Sequence, residues 1–184
     1  TGHVYALGVC GYFQCIDGET GETIWDRAMH EEFGFLSTYG GRTNFPVVVD
    51  DQVIISAVVI GWGEMAKPAH RFVSFDKLTG EVVWFNGTTP LPEDTTYSPP
   101  ALKTIDGQKQ LIFGSGDGMV WGMQPRTGEP IWKFGLSRRG LNVGPFVIDD
   151  RVYSGQSEEV WDTGTAKMGT LVGFKTGEGD LTEK

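Results

Sequence analysis

The sequence predicts an all-β fold, a β-propeller segment built of four-stranded antiparallel blades. Three observations carry the prediction. A ten-residue phrase is written three times in register: IDGETGETIW (16–25), FDKLTGEVVW (75–84) and MQPRTGEPIW (123–132). A second phrase, in which apolar residues flank an Asp-Asp or Asp-Gly pair, is interleaved with the first. The chain also carries 27 glycines and 9 prolines among short Val/Ile/Phe/Trp runs, the composition of many strands joined by tight turns.

The first phrase reads as a hairpin: FVSFD, then KLTG, then EVVWF, with glycine supplying the positive φ of the turn. Its glycines fall at Gly21, Gly80 and Gly128, and Trp25, Trp84 and Trp132 keep the same spacing. A weaker copy, GFKTGEGDL, places Gly177 next, without the aspartate or the tryptophan. The interleaved phrase occurs as FPVVVDDQVIIS (45–56), PPALKTIDGQKQLIFG (99–114) and GPFVIDDRVYSG (144–155), each a strand, a tight turn and a second strand. The link between the two hairpins is short in GSGDGMVWGM (114–123), where Asp117-Gly118 makes the turn.

One repeat is therefore four antiparallel strands, A to D, over about 48 residues, the period of a propeller blade. The register divides residues 1–184 into a partial blade at 1–29 (strands B to D), complete blades at 30–87 and 88–135, and a partial blade at 136–184 that stops before strand D. The two broken ends duplicate strands B and C. An arc of a larger propeller is expected rather than a closed four-bladed ring, and the chain reads as a piece of a longer protein. Helix is limited to one turn at HEEF (30–33), because every longer helical apolar pattern is interrupted by Gly or Pro.

Bulk composition excludes several function classes. Hydrophobic residues make up 39% and charged residues 21%, as in soluble globular domains. No apolar run approaches the roughly 20 residues of a membrane-spanning helix. The net charge is −9, with no basic run longer than Arg138-Arg139, so nucleic acid is not an expected partner. His3, His30 and His70 share no metal-ligand spacing. GSGDG (114–118) lacks the Lys-Ser/Thr of a phosphate loop. Trp25-Asp26 does not recur in phase, its counterparts being Trp84-Phe85 and Trp132-Lys133, so a WD40 reading fails. Cys10 and Cys15 flank a turn expected at Gly11-Tyr12. A two-residue turn leaves them diagonal at ~7–8 Å, near the limit for a bridge, and a four-residue turn would pair them. Free, buried thiols are expected.

The string GYFQCIDGETGETIW (11–25) resembles the PQQ-like (pyrroloquinoline-quinone) propeller repeat: a small residue, x, Asp, x-x, Thr-Gly, then Trp four residues on. The small position is Cys15, Ser74 and Gly122; the aspartate is Asp17 and Asp76, with Gln124 in the third copy. The resemblance recurs in phase over nearly the whole chain. It implies a member of the superfamily of BamB-like and quinoprotein alcohol dehydrogenase-like propellers, and with it a bacterial, extracytoplasmic protein, periplasmic or membrane-anchored.

The repeated phrase itself reads as architecture. Asp17, Gly21, Trp25, Asp76, Gly80, Trp84, Gly128 and Trp132 are expected to shape turns and pack neighbouring blades, with the tryptophans more than three-quarters buried. In a repeat protein function is sought where the copies differ. From Ser56 to Asp76 the chain is 11 residues longer than from Ser115 to Gln124, an insertion within 57–71, and 155–169 carries a comparable excess. Strand alternation puts these B–C loops on one face with the crossings at 32–44, 88–98 and 136–143. The opposite face carries only short DD, DG and TG turns and is expected to be inert. Tyr39, Arg42, Asn44, Tyr97, Ser98, Arg139 and Asn142 gather near the starts of strand A, where they would ring the channel mouth, and Trp62 lies in the first insertion. The competing role for Asn44, Ser98 and Asn142 is to cap strands.

The reading is a non-catalytic binding scaffold with no catalytic residue, metal or cofactor. Its expected partners are the remaining blades of the parent propeller and another protein on the long-loop face. The alternative is a fragment of a quinoprotein alcohol or sugar dehydrogenase, for which the resemblance implies PQQ and Ca²⁺. That family uses an adjacent Cys-Cys pair, which this chain lacks.

Overall fold

Each copy of the repeat closes into its own antiparallel sheet. The computed structural model describes residues 2–8, 11–35, 45–58, 70–89, 96–159 and 168–182. The first sheet is β1 (His3–Leu7), β2 (Tyr12–Asp17) and β3 (Thr23–Ala28), in that order. One short helix, α1 (Met29–Phe33), follows and ends on Gly34 in the left-handed conformation. The second sheet is β4 (Val47–Val49), β5 (Gln52–Val58), β6 (His70–Asp76) and β7 (Val82–Gly87). The third contains β8 (Ala101–Ile105), β9 (Gln108–Gly114), β10 (Met119–Met123) and β11 (Pro130–Gly135), and the fourth β12 (Phe146–Ile148), β13 (Arg151–Glu159) and β14 (Met168–Lys175). The molecule is a segment of a β-propeller of four-stranded blades, as the period predicts.

Turn chemistry explains the hairpins. Asp50, Asp106 and Asp149 hold φ of 51°, 48° and 53°, the left-handed conformation that aspartate tolerates better than most residues. In the first TG turn the Asp17 carboxylate accepts the amides of Glu19 and Thr20, both at 2.9 Å, and Gly21 N–H returns to Asp17 O. Asp76 repeats this with Leu78 and Thr79 at 2.8 and 2.9 Å. Gln124 replaces the carboxylate in the third copy, where its Oε1 accepts Arg126 N–H at 3.1 Å. The amides of Thr20 and then Glu19 hold the Asp17 carboxyl below its usual range, and those of Thr79 and then Leu78 do the same for Asp76.

Strand alternation divides each sheet between two neighbours. On β6, Val73 and Phe75 pack with Phe13 and Trp25 of the first sheet, while Phe72 packs with Leu111 and Phe113 of the third. On β9, Leu111 and Phe113 face the second sheet while Ile112 joins Val152, Val172 and Phe174 of the fourth. Each buried cluster joins sheets adjacent in the chain, and among the described residues none joins the first to the fourth.

The repeated phrase supplies the key of each interface. Cys15, Ser74 and Gly122 lie directly opposite Trp25, Trp84 and Trp132 across the C–D pair. The Trp25 ring lies over Gly80 of the next blade, and the Trp84 ring over Gly128 of the one after, so close that a Cβ would stand 2.7 and 2.3 Å from the respective rings. Trp84 Nε1–H donates to Pro125 O at 3.0 Å, and Trp25 Nε1–H to Lys77 O at 3.3 Å. Burial of the tryptophans is graded rather than uniform. Trp132 is 1% exposed, its Nε1–H donating to Gln110 Oε1 at 2.8 Å, whereas Trp25 and Trp84 are only partly buried.

Two local expectations are corrected. The first turn is not at Gly11-Tyr12: β1 ends at Leu7, which pairs with Phe13, and Gly11 N–H donates to Gly8 O. Cys15 therefore opposes Tyr5 and is a free, buried thiol; Cys10 lies outside the described residues. The weak fourth copy does not form a TG turn like the others. Gly177 lacks the positive φ of Gly21, Gly80 and Gly128, which falls instead at Gly179, and Lys175, paired with Arg151 as Asp76 is with Gln52, has no carboxylate to hold turn amides. The chain instead runs on as β15 (Gly179–Asp180), parallel to β11 on the outer edge of the third sheet. Leu181 N–H donates to Lys133 O at 2.8 Å and its side chain is buried in the adjoining cluster.

Outer D strands expose backbone edges, a liability in any sheet protein. Three different acceptors cover the same edge position: Glu32 Oε1 takes Ala28 N–H (3.1 Å), Asn86 Oδ1 takes Gly87 N–H (2.8 Å), and Thr182 Oγ1 takes Gly135 N–H (2.9 Å).

Candidate functional site

The crossings between blades meet at the B–C turn of the third sheet. This turn is tight because Gly118 adopts φ +77°, and a Cβ there would stand 1.9 Å from Ser137 O. Leu136 and Ser137 N–H both donate to Gly118 O, at 3.1 and 3.0 Å, and Leu141 N–H donates to Ser115 O at 3.0 Å. From the other side Thr88 Oγ1 meets Ser115 Oγ at 3.1 Å. Thr88 and residues 136–141 are thereby tied to one turn, on the face where strand alternation places B–C loops.

Of the sequence candidates, Tyr97, Ser98, Arg139 and Asn142 are described and fall on these two crossings. Tyr39, Arg42, Asn44 and Trp62 lie outside the described residues. Tyr97 N–H donates to Asn142 Oδ1 at 3.1 Å, which ties the crossings side to side. Ser98 is fully buried: its hydroxyl accepts Gly114 N–H at 2.9 Å and donates to Val143 O at 3.2 Å. Thr96, which sequence reasoning did not single out, is also buried, and its hydroxyl bonds to the carbonyls of Leu141 and Gly114. Ser98 and Thr96 thus spend their hydroxyls on backbone. Tyr97, Arg139 and Asn142 reach the surface, with Arg139 and Asn142 well exposed. Arg139 N–H is held by Ser137 Oγ at 2.9 Å.

Asp117 sits beside them. Its carboxylate accepts Trp121 Nε1–H at 3.1 Å and Met119 N–H at 3.1 Å, so it shapes the turn. Among the described residues there is no group of His, Cys, Asp or Glu that could hold a metal ion.

The opposite face is less plain than the sequence suggests. A shallow cleft opens there between turns of the second and third sheets, lined in part by Asp50, Asp51, Gln52, Lys109, Gln124 and Arg126. Its charges neutralise one another: Lys109 pairs with Asp50, and Arg126 with Asp51 at 3.5 Å. The hydrogen bond from Lys109 holds the Asp50 carboxyl below its usual range. Gln52 Nε2 also donates to Arg126 O at 3.3 Å, so the cleft is braced from within.

One buried titratable residue escaped the sequence reading. His70 begins β6, just after the long insertion, and is fully buried, with its ring centroid 4.5 Å from Phe72 and 5.2 Å from Phe113. Neither ring nitrogen has a hydrogen-bond partner among the described residues. The alternation of β6, which puts Phe72 and Ser74 on the same side as position 70, was the available signal.

Comparison with known proteins follows this architecture. The family model described as outer membrane protein assembly factor BamB matches residues 1–177. The outer membrane protein assembly factor BamB of Kangiella koreensis is 25% identical over 152 residues, covering 82% of this chain and 31% of that protein. The crystal structure of BamB from Moraxella catarrhalis aligns with a TM-score of 0.60 at 18% identity, over 94% of this chain and 45% of that one. The quinohemoprotein alcohol dehydrogenase ADHIIG from Pseudomonas putida HK5 aligns with a TM-score of 0.61 at 15% identity, over 84% of this chain and 27% of that one. The two structural likenesses speak for the fold alone. The chain spans less than half the length of each of these relatives.

Proposed function

The chain belongs to the family of outer membrane protein assembly factor BamB, and from that premise we propose that it is a non-catalytic propeller scaffold that binds a protein partner outside the cytoplasm. The partner belongs to outer membrane protein assembly, and it contacts the face built from the crossings and the loops 57–71 and 155–169. The observation that carries this reading is the convergence of two crossings on the Ser115–Gly118 turn, where Tyr97, Arg139 and Asn142 are presented on a braced frame. Tyrosine and arginine on a rigid support are the residue types that anchor interfaces. The aspartates, glycines and tryptophans of the repeated phrase, by contrast, are committed to turns and blade packing.

A photocrosslinking residue placed at Tyr97, Arg139 or Asn142 in bacterial envelopes is expected to yield a discrete protein adduct, and one at Glu19, Leu78 or Asp106 on the turn face is not. Adducts from the turn face alone would reverse the assignment. The paired substitution Arg42→Ala with Arg139→Ala is expected to abolish the adduct at Asn142 while leaving the melting temperature within a few degrees.

The quinoprotein alternative takes no support from Cys15. Cys15 is enclosed between the first two sheets, its Sγ facing Lys77 O, and burial pushes its thiol pKa up. Added PQQ with Ca²⁺ is expected to leave the melting temperature unchanged, whereas a ligand at 100 times its Kd would stabilise by about 2.7 kcal/mol. A clear upward shift measured by calorimetry would favour the dehydrogenase reading.

A further inference from the structure

The first three sheets share one backbone device, and only the second builds it with a titratable side chain. Four residues before Cys15, Ser74 and Gly122 stand Gly11, His70 and Gly118. The carbonyl of each pins the crossing that leaves its own blade. Gly11 O accepts Met29 N–H at 2.8 Å, His70 O accepts Thr88 N–H at 3.0 Å, and Gly118 O accepts the amides of Leu136 and Ser137. The two glycines hold φ of +74° and +77°, and a Cβ on them would meet the crossing backbone, 3.3 Å from Phe35 O and 1.9 Å from Ser137 O. In the second sheet, whose B–C connection contains the long insertion, a whole imidazole stands at that position.

The His70 ring is enclosed against Phe72 and Phe113, and both its nitrogens lack a partner among the described residues. No described charge compensates it. Arg71 turns away, donating to Phe33 O at 3.0 Å and lying over the Phe85 ring. Asp76 and Lys109 lie toward the far ends of β6 and β9, and β5, β7 and β10 carry no charged residue. Asp117, on the neighbouring turn, is engaged with Trp121 and Met119. A neutral imidazole fits this slot. An imidazolium, with a charge and two N–H donors to satisfy, does not. Leaving the slot moves the first residue of β6, and Thr88 is bound to that residue. Thr88 N–H is held by His70 O, and its hydroxyl meets Ser115 Oγ at 3.1 Å in the turn that also receives Leu141 N–H. We propose that His70 is a pH-sensitive latch on the loop face, whose protonation draws the ring out from between β6 and β9 and frees Thr88 from the Ser115–Gly118 turn. Burial lowers the pKa of the enclosed ring to about 3 from an ordinary 6.5. The opened form takes up a proton that the closed form excludes, so opening gains about tenfold for each pH unit below 6.5, down to the closed value.

Amide hydrogen exchange of the full-length protein, corrected for intrinsic rates at each pH, tests this. Protection of the Thr88 amide is expected to hold above about pH 6.5 and to fall about tenfold per unit below it. The fall is expected to be independent of guanidinium at concentrations below the unfolding transition, the mark of a local opening. His70→Phe keeps a ring that does not titrate and is expected to hold Thr88 protection level over the same range, with His70→Leu as the second variant should the larger ring fold poorly. Constant protection in the wild type overturns the latch, as does an equal fall in the variant. A fall that deepens with guanidinium reports global unfolding and also overturns it. By nuclear magnetic resonance the His70 ring proton is expected to show no midpoint near pH 6.5, and an ordinary titration there would place the ring in solvent and overturn the proposal in the wild type alone.

Discussion

Gly128→Ala is expected to destabilise the protein by about 3 kcal/mol or more, while the same change at Gly21 costs only about 1–2 kcal/mol. Both glycines close a TG turn with similar backbone, φ +73° and +76°, so both substitutions carry the left-handed penalty of about 1–2 kcal/mol for a residue with a Cβ. The difference lies across the interface. At Gly21 a new methyl meets nothing within 4 Å, whereas at Gly128 it would stand 2.3 Å from the Trp84 ring. The ring would have to leave, with loss of its contacts and of the bond to Pro125 O. Trp84→Ala alone is expected to cost about 2–3 kcal/mol, below the range for a fully buried tryptophan because the ring is partly exposed. In the Trp84→Ala background the clash vanishes and Gly128→Ala is expected to fall to the Gly21 value. Urea unfolding of the four members of this cycle measures the coupling. Additive losses would show that the ring does not depend on the glycine.

Stability is expected to fall as the pH drops from about 6.5 toward 3, chiefly through His70. Its full burial lowers the folded pKa to about 3, against an ordinary 6.5. Between those values the unfolded chain takes up a proton that the folded protein excludes, so stability rises with pH across that window and is complete above it. At about 1.4 kcal/mol per pKa unit the loss is on the order of 4 kcal/mol by the acid end. Asp17 and Asp76 add to it only at lower pH, since their depressed carboxyls keep the turn bonds until pH falls through their folded values. His70→Leu removes two unpartnered ring nitrogens from the Phe72–Phe113 cluster. It is expected to be neutral or stabilising at pH 7 and to flatten the profile between pH 6.5 and 4.5. Thermal melts at stepped pH decide: an unchanged slope in the variant would assign acid sensitivity to other groups.

The blade period, hairpins, alternation and the helical turn after β3 were all written in the sequence. They depend on interactions that span only a few residues: Asp17 and Asp76 hold amides two and three positions on, and a TG or DG pair sets its own φ. Strand direction likewise places Thr88 and residues 136–141 together, where both bond the Ser115–Gly118 turn. Tertiary structure decided the rest. Trp25, Trp84 and Trp132 share one local phrase, but only Trp132 is fully enclosed. Ser98 and Asn142 were indistinguishable as candidates until packing buried the Ser98 hydroxyl and left Asn142 exposed. The fourth TG pair met β11 and continued as a parallel edge strand rather than a turn. His70 carries no motif; its burial comes from Phe72 on its own strand and Phe113 on the next sheet, 43 positions away. Turn geometry is set by neighbours along the chain, which a sequence displays directly. Burial is set by whatever surface the neighbouring sheet brings, and that depends on side chains a whole repeat distant.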